Sequence, residues 1–321
     1  MNCKICNTII TSPAIQTKEM MFGFNTTHHY LECNNCNALL LENIPIDLNK
    51  FYPENYYSFK QHPSELIKSS YLRKVKTKYI LFNTNKLLGY LLCIGYKVPD
   101  YLNWLKFAEV NFNDAILDIG SGNGDILTKL CMAGFTNLQG IDPFLKEEFI
   151  SKNGCLQLLR KSIFDEQQHK TYDFIMLNHS FEHMDDPQSI FKRLSTLVKK
   201  DKILLIRTPV NKSFASTEYK ENWVDMDPPR HLIVHSKSSI ELLAKANGFT
   251  LDKIIYDSTA FQFWGSEQYK KNIPLFDKKS YSVNKHATIF TELQMAEWKL
   301  LAEKLNTEEQ GDQACFYLRK L

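Results

Sequence analysis

Four cysteines in the first 36 residues, Cys3-x-x-Cys6 and Cys33-x-x-Cys36, form two knuckles separated by 26 residues. Two such pairs supply four thiolates, the ligand set of a closed, structural, tetrahedral zinc site. The spacer exceeds the commonest zinc-finger spacing and leaves room for a two-stranded ribbon. His28 and His29 lie near Cys33 as alternative ligands, and a redox-active cysteine pair is the competing chemistry. A second constellation is LDIGSGNGD (117–125), where Asp118 ends an apolar run and Gly120, Gly122 and Gly124 follow at alternate positions. Glycines here let a ligand approach the backbone amides and tolerate a positive φ. The spacing departs from the dinucleotide pattern G-x-G-x-x-G, because Asp125 stands where the third glycine is required. The Asp118 carboxylate would repel a pyrophosphate and attract an ammonium. A third set comprises His179, His183, His231 and His235, side chains able to take a proton near neutral pH.

The elements that must position these residues follow from hydrophobic patterning. The runs 115–120, 137–142, 172–180 and 202–209 read as strands, with helices after the glycine loop and from about Pro187 to Lys199. Strands alternating with helices imply crossover connections and a mainly parallel sheet, whose ligands bind at the carboxyl ends of the strands. A helix over 238–249 and late strands at 251–258 and 314–320 complete the pattern. The stretch from Ser64 to Leu105 is helical, aromatic and basic. Between the last two strands, about 55 residues opened by FWGSEQY (263–269) form an insertion that adds substrate wall or an oligomer contact.

Asp118-x-Gly120-x-Gly122-x-Gly124 resembles the first motif of class I S-adenosylmethionine-dependent methyltransferases. The resemblance extends to Asp142 (GID), where that family's acid holds the ribose hydroxyls, and to RKSIFDE (160–166), where Ser162 and Ile163 would frame the adenine. It also covers the run YDFIMLNHSFEHMDDP (172–187), with Asn178 on the cofactor side and Glu182-His183 ordering the following loop or touching substrate or a metal. The paired cysteines, the Tyr-rich segment and the closing GDQACFYLRK are similar to methyltransferases with an N-terminal zinc ribbon, among them sugar C-methyltransferases and proteins of surface-polysaccharide gene clusters. That resemblance implies a doubly wound, mainly parallel, seven-stranded Rossmann-like sheet (α/β) over 111–321, with the insertion at about 259–313. A zinc ribbon would occupy 1–45, and a helical cap or lid 46–110, with Tyr52, Tyr56 and Tyr57 covering the cofactor. It implies S-adenosylmethionine and structural zinc as cofactors and His231 as the base, in WVDMDPPRHLIVHS (223–236). A histidine bonded to a loop backbone is the bland alternative. The Pro and Arg before His231 depart from the sugar C-methyltransferases, so a hydroxyl acceptor fits at least as well as carbon. Arg207 and Arg230 could hold a phosphate of a nucleotide-linked acceptor.

Composition limits the remaining classes. With 39 Lys and Arg against 36 Asp and Glu, net +3, the charge is too balanced for a phosphate-tracking surface, so no nucleic-acid partner is expected. The start MNCKICNTII is not a signal peptide, and no window of about 18 apolar residues occurs, which makes a cytoplasmic protein the expectation. Cys93, Cys131, Cys155 and Cys315 are then ordinary reduced core thiols. The expected substrate is a small, sugar-type molecule. Methylation of a lipid, quinone or secondary metabolite is the rival, and a zinc-ribbon module that binds RNA or protein is a rival of another class.

Overall fold

Apolar residues run almost without a break along the central strands, and a strand sends successive side chains to opposite faces, so both faces of the sheet are buried. A computed structural model describes residues 1–53, 70–167, 169–286 and 289–321. Its strands are β1 (Ile15–Lys18), β2 (Thr27–Glu32), β3 (Leu39–Leu41), β4 (Ile116–Ile119), β5 (Leu138–Ile141), β6 (Phe149–Ile150), β7 (Leu156–Leu159), β8 (Tyr172–Asn178), β9 (Val198–Pro209), β10 (Ile233–Val234), β11 (Phe249–Tyr256) and β12 (Gln313–Lys320). Its α-helices are α1 (Tyr71–Phe82), α2 (Lys86–Cys93), α3 (Asp100–Phe107), α4 (Asp125–Ala133), α5 (Pro187–Leu197), α6 (Phe214–Tyr219), α7 (Lys237–Ala246), α8 (Phe261–Lys270) and α9 (Glu292–Thr307). Tyr56 and Tyr57, and the expected start of the helical stretch at Ser64, lie outside the described residues.

The main sheet runs in the order β11-β12-β9-β8-β4-β5-β7-β6. Strands β9, β8, β4, β5 and β7 are parallel, and β12 runs antiparallel between β9 and β11. The expectation of seven strands is corrected to eight: the two-residue β6 adds an antiparallel edge to β7. Period-two sorting is clean across the centre. Leu117, Ile119, Ile175, Leu177, Leu204, Ile206 and Phe316 fill one core, while Ile116, Phe174, Met176, Ile203, Leu205 and Tyr317 fill the other.

The second core is closed by α1, α3 and α4, through Ile80, Leu81, Leu102, Leu105, Leu127 and Leu130. The helical stretch is broken where Asn83 and Asn85 turn left-handed, with φ 53° and 55°. Cys131 of α4 and Cys155 before β7 are joined as a disulfide, with Cα atoms 6.1 Å apart. The expectation of a reduced thiol therefore fails at these two positions, because the chain brings both sulfurs together between α4 and β7; Cys93 and Cys315 are free.

On the first face lie α5, α7 and the N-terminal ribbon. Cys3, Ile5, Tyr30 and Leu39–Leu41 share one apolar cluster with Leu117, Ile175 and Leu204. The ribbon's sheet is β1-β2-β3-β10, so its fourth strand comes from the segment that carries His231. The insertion braces the ribbon: Leu275 N–H donates to Met20 O (2.8 Å) and Phe276 N–H to Met21 O (3.0 Å).

Candidate active site

Four loops leaving β4, β5, β7 and β8 at their carboxyl ends enclose a cleft of about 460 Å³, lined by Gly120, Asp142, Ser162 and Ser180 among others. Such an opening suits a small ligand. Gly120 and Gly124 adopt φ 74° and 72°. A Cβ on Gly120 would stand 2.4 Å from Ser180 Cβ, so the strand-to-loop turn and the approach of the next strand's loop both require glycine. Ser180 in turn donates from Oγ to Ile119 O (2.7 Å), locking the two loops together.

Asp142 is fixed before any ligand arrives. Its Oδ2 accepts from Gly122 N–H (3.0 Å) and its Oδ1 from Phe144 N–H (2.8 Å). A carboxylate offers about four lone-pair sites, which leaves acceptor capacity for two hydroxyls. Ser162 caps the single turn Ile163–Asp165, accepting from Phe164 N–H at 3.3 Å while its own N–H donates to Asp165 (2.8 Å). Ser162 and Ile163 both line the cleft. Asp118 does not line it: the side chain is buried beneath the loop, and burial together with Asp142 pushes its carboxyl up to about 7. Asn178 is also behind the lining, accepting at Oδ1 from Arg207 Nη1 (3.1 Å).

The opposite wall carries His183. Its Nδ1 lies 2.8 Å from Arg230 O and 3.3 Å from Tyr52 Oη. A proton on Nδ1, donated to the carbonyl, leaves Nε2 as a bare lone pair. Burial and the adjacent His231 both lower the pKa of this ring, keeping it neutral. His231, expected as the base, is buried and behind His183, ring centroids 5.0 Å apart. Its Nδ1 is 2.8 Å from Asp225 O, and it is absent from the cleft lining. Beside them lies Glu182, fully buried, with Oε2 accepting from Thr208 Oγ1 at 3.0 Å and Oε1 3.3 Å from His179 Nδ1. Burial alone would raise this carboxyl, yet His179, His183 and His231 hold it well below the ordinary range. Glu182, His183 and His231 present ligand-type atoms within 4.8 Å of one another. His235 is a neutral core histidine, pushed down to about 3 by burial and stacked on Phe181 at 4.4 Å.

Both arginines considered as phosphate holders are engaged elsewhere. Arg207 pairs with Asp257 (2.7 Å) over Trp104. Arg230, wholly buried, makes two bonds to Asp227 (Nε 2.9 Å, Nη2 2.5 Å), one to Glu19 (2.8 Å) and one to Phe51 O (3.2 Å). Sequence reasoning missed Glu19 and Asp227, and for Glu19, 211 residues from Arg230, no local signal exists. It also missed Phe144 and Phe164, exposed aromatics on the cleft wall. Phe144, two residues after Asp142 and stacked with Tyr52, was within reach of the motif.

The four N-terminal cysteines converge, and His28 and His29 stay on β2 outside the group. Cys3 and Cys36 sulfurs are 3.6 Å apart, Cys6 and Cys33 sulfurs 3.5 Å. Four sulfurs at about 2.3 Å from one ion would stand about 3.8 Å from each other. The knuckles are built alike: Cys3 O accepts from Asn7 N–H and Cys33 O from Asn37 N–H, both at 2.9 Å, with each Asn left-handed.

A family model described as a methyltransferase domain matches residues 98–254, just under half of the chain. That span holds the glycine loop, Asp142, Ser162, His183 and His231, and excludes the ribbon and Tyr52. EEF1A lysine methyltransferase 2 of Danio rerio is 49% identical over 41 residues, 13% of this chain, and the match spans only 18% of that protein. Among solved structures, a cyclopropane synthase from Mycobacterium tuberculosis is 15% identical over 78% of this chain and 99% of its own, with TM-score 0.43. Magnesium protoporphyrin IX methyltransferase from Synechocystis, bound to SAH, is 18% identical over 50% of this chain and 75% of its own, with TM-score 0.39. No described helix is long and apolar enough to cross a membrane.

Proposed function

We propose that the chain is an S-adenosylmethionine-dependent methyltransferase acting on a hydroxyl, or less directly a carbon, of a small sugar-type acceptor such as a nucleotide-linked sugar. The observation that carries the methyltransferase reading is the cleft itself: a left-handed glycine loop and the pre-fixed carboxylate of Asp142, side by side at the ends of β4 and β5. These residues suit an adenosyl ligand, since Asp142 keeps acceptor capacity for the ribose and the glycines leave the amides bare. Ser162 and Ile163 would flank the base, and Asp118 would compensate the aminoacyl ammonium from beneath the loop. S-adenosylmethionine supplies an electrophilic methyl carbon on its sulfonium.

The acceptor's proton goes to the chain. His179 and His183 both line the cleft; His179 Nδ1 is turned to Glu182 Oε1 (3.3 Å), whereas His183, with Nδ1 held by Arg230 O, keeps Nε2 as the basic atom. His231 and Glu182 act through it as positioning residues, the ring of His231 backing that of His183. The sugar-type acceptor is supported by the sequence resemblance alone; methylation of a lipid, quinone or secondary metabolite is the competing assignment. Zinc fits the four cysteines, whose Cys3–Cys36 and Cys6–Cys33 sulfur distances are near those expected around one such ion, and its role would be structural.

Calorimetry with S-adenosylhomocysteine tests the cofactor reading. Binding is expected for the intact chain and should weaken at least tenfold in Asp142→Ala, since two hydroxyl-to-carboxylate bonds are lost. No binding, or equal binding by the variant, removes the reading. Single-turnover assays then separate the histidines. His183→Ala should abolish methyl transfer with cofactor affinity intact, while His231→Asn, which keeps a side-chain donor toward Asp225 O, should retain part of it.

A further inference from the structure

The segment from Ser70 to Pro99 carries Arg73, Lys74, Lys76, Lys78, Lys86 and Lys97 and no Asp or Glu, in a chain whose overall charge is nearly balanced. The same segment carries the densest run of exposed large apolar side chains. Leu87 is 81% exposed and Ile94 66%, with Tyr90 and Leu91 between them also open to solvent. At 100° per residue, Leu87, Tyr90, Leu91 and Ile94 fall on one face about 100° wide. Gly89 lies on the opposite face and is buried. A Cβ there would meet Tyr79 Cβ at 2.4 Å, so glycine lets α2 seat its back directly on α1 and turns the leucine face outward. Among the described residues nothing covers that face, and Tyr71 and Leu72 at the start of α1 are exposed as well.

We infer that α2 and the start of α1 form a docking surface for an anionic lipid bilayer, lying in the interface without spanning it. Charge decides the occupant. An apolar face alone would suit a second copy, but a self-complementary contact would bring together two segments of uncompensated positive charge, and repulsion between like charges disfavours it, although Arg73, Lys74, Lys76 and Lys78 also contact Met132, Phe112 and Tyr96. A bilayer with negative headgroups accepts the leucines among its acyl chains and the lysines among its phosphates. With eight residues, α2 is far too short to cross and of a length to lie flat. The surface is distinct from the cleft, and the inference does not depend on the methyl-transfer reading.

Co-sedimentation of the full chain with vesicles tests it. The chain should pellet with vesicles of phosphatidylcholine mixed with phosphatidylglycerol, and not with phosphatidylcholine alone, and added salt should release it. Leu87→Asp/Leu91→Asp alters only exposed positions, so it should keep its melting temperature and lose the pelleting. Lys86→Gln and Lys97→Gln should each lower partitioning about fivefold. Failure to pellet, pelleting with neutral vesicles equal to that with anionic ones, or pelleting unchanged in the Asp variant would overturn the inference. So would a dimer in sedimentation velocity that the Asp variant splits while the intact chain ignores vesicles, which would assign the face to a second copy.

Discussion

At the scale of single residues, burial turned several expected surface groups into structural ones. Arg230 reads from the sequence as a solvated or phosphate-holding cation, because the Pro-Pro-Arg-His context shows nothing of Glu19. In the fold its guanidinium is wholly buried, with Asp227 and Glu19 as carboxylate partners. Removing one member of a buried pair leaves the others uncompensated. Arg230→Leu should therefore cost about 3–5 kcal/mol in urea unfolding, with the loss falling well short of that if Glu19 and Asp227 are neutralised in the same chain. Asp118 gives a pH signature. Its folded pKa, about 7, stands above the ordinary carboxylate value because of burial and then Asp142. The folded chain thus holds this proton more tightly than the unfolded one, and the stabilisation, complete below about pH 4, is lost as pH rises through 7. The melting temperature of the ligand-free chain should fall over that window relative to Asp118→Asn. The aminoacyl ammonium of the ligand, set over Asp118, would favour the ionised form, so S-adenosylhomocysteine affinity should rise with pH up to about 7 and level off, and calorimetry across pH would show it. Equal profiles for the two chains would place the titration elsewhere.

At the scale of elements, the central strands were legible because continuous apolar runs of about four to eight residues bounded by turn residues carry their own signal. β7 was not read as a strand, although LQLL is as long as LQGI of β5 and carries its glutamine at the same place. β10 is shorter still, and its pairing with β3 spans most of the chain. The helices α1 to α3 ran together in the sequence because two asparagines, not glycine or proline, make the first break. The glycine loop was the most legible feature, since its spacing is dictated by backbone geometry. Gly120→Ala checks that geometry. The substitution forces alanine to φ 74° and drives its Cβ into Ser180, for an expected loss of roughly 1–3 kcal/mol. If the Ser180 loop moves instead, stability is kept and cofactor affinity falls, so denaturation and calorimetry on the one variant distinguish strain from displacement.

For the molecule as a whole, the ribbon is part of the wall behind the cleft. The sequence showed its cysteines but not where it leans, since that depends on contacts some 200 residues apart. Tyr30 Oη donates to His231 O at 2.5 Å, Leu41 N–H to Leu232 O at 2.9 Å, and Leu232 N–H to Glu182 O at 2.8 Å. The second knuckle is held from the other side, Asn211 Nδ2 donating to Asn37 O at 2.8 Å and Ser236 Oγ to Cys36 O. The segment bearing Arg230 and His231 is therefore clamped by β2, β3 and the cysteine knuckles, whereas the glycine loop and Asp142 are held, among the described residues, by hydrogen bonds of their own. A zinc ion held by the four cysteines, as proposed above, would contribute directly to folding, and its loss should act unequally on the two halves of the cleft. Stripping the metal with a chelator, or Cys33→Ser, should lower turnover by an order of magnitude or more through the loosened His183 wall. S-adenosylhomocysteine affinity should change by less than about threefold, because the loops after β4 and β5 keep their own hydrogen bonds. Restoring zinc should return turnover to the stripped chain and not to Cys33→Ser. Should cofactor affinity fall in parallel with turnover, the ribbon would be supporting the whole fold, and the clamp on the histidine wall would not be its separate role.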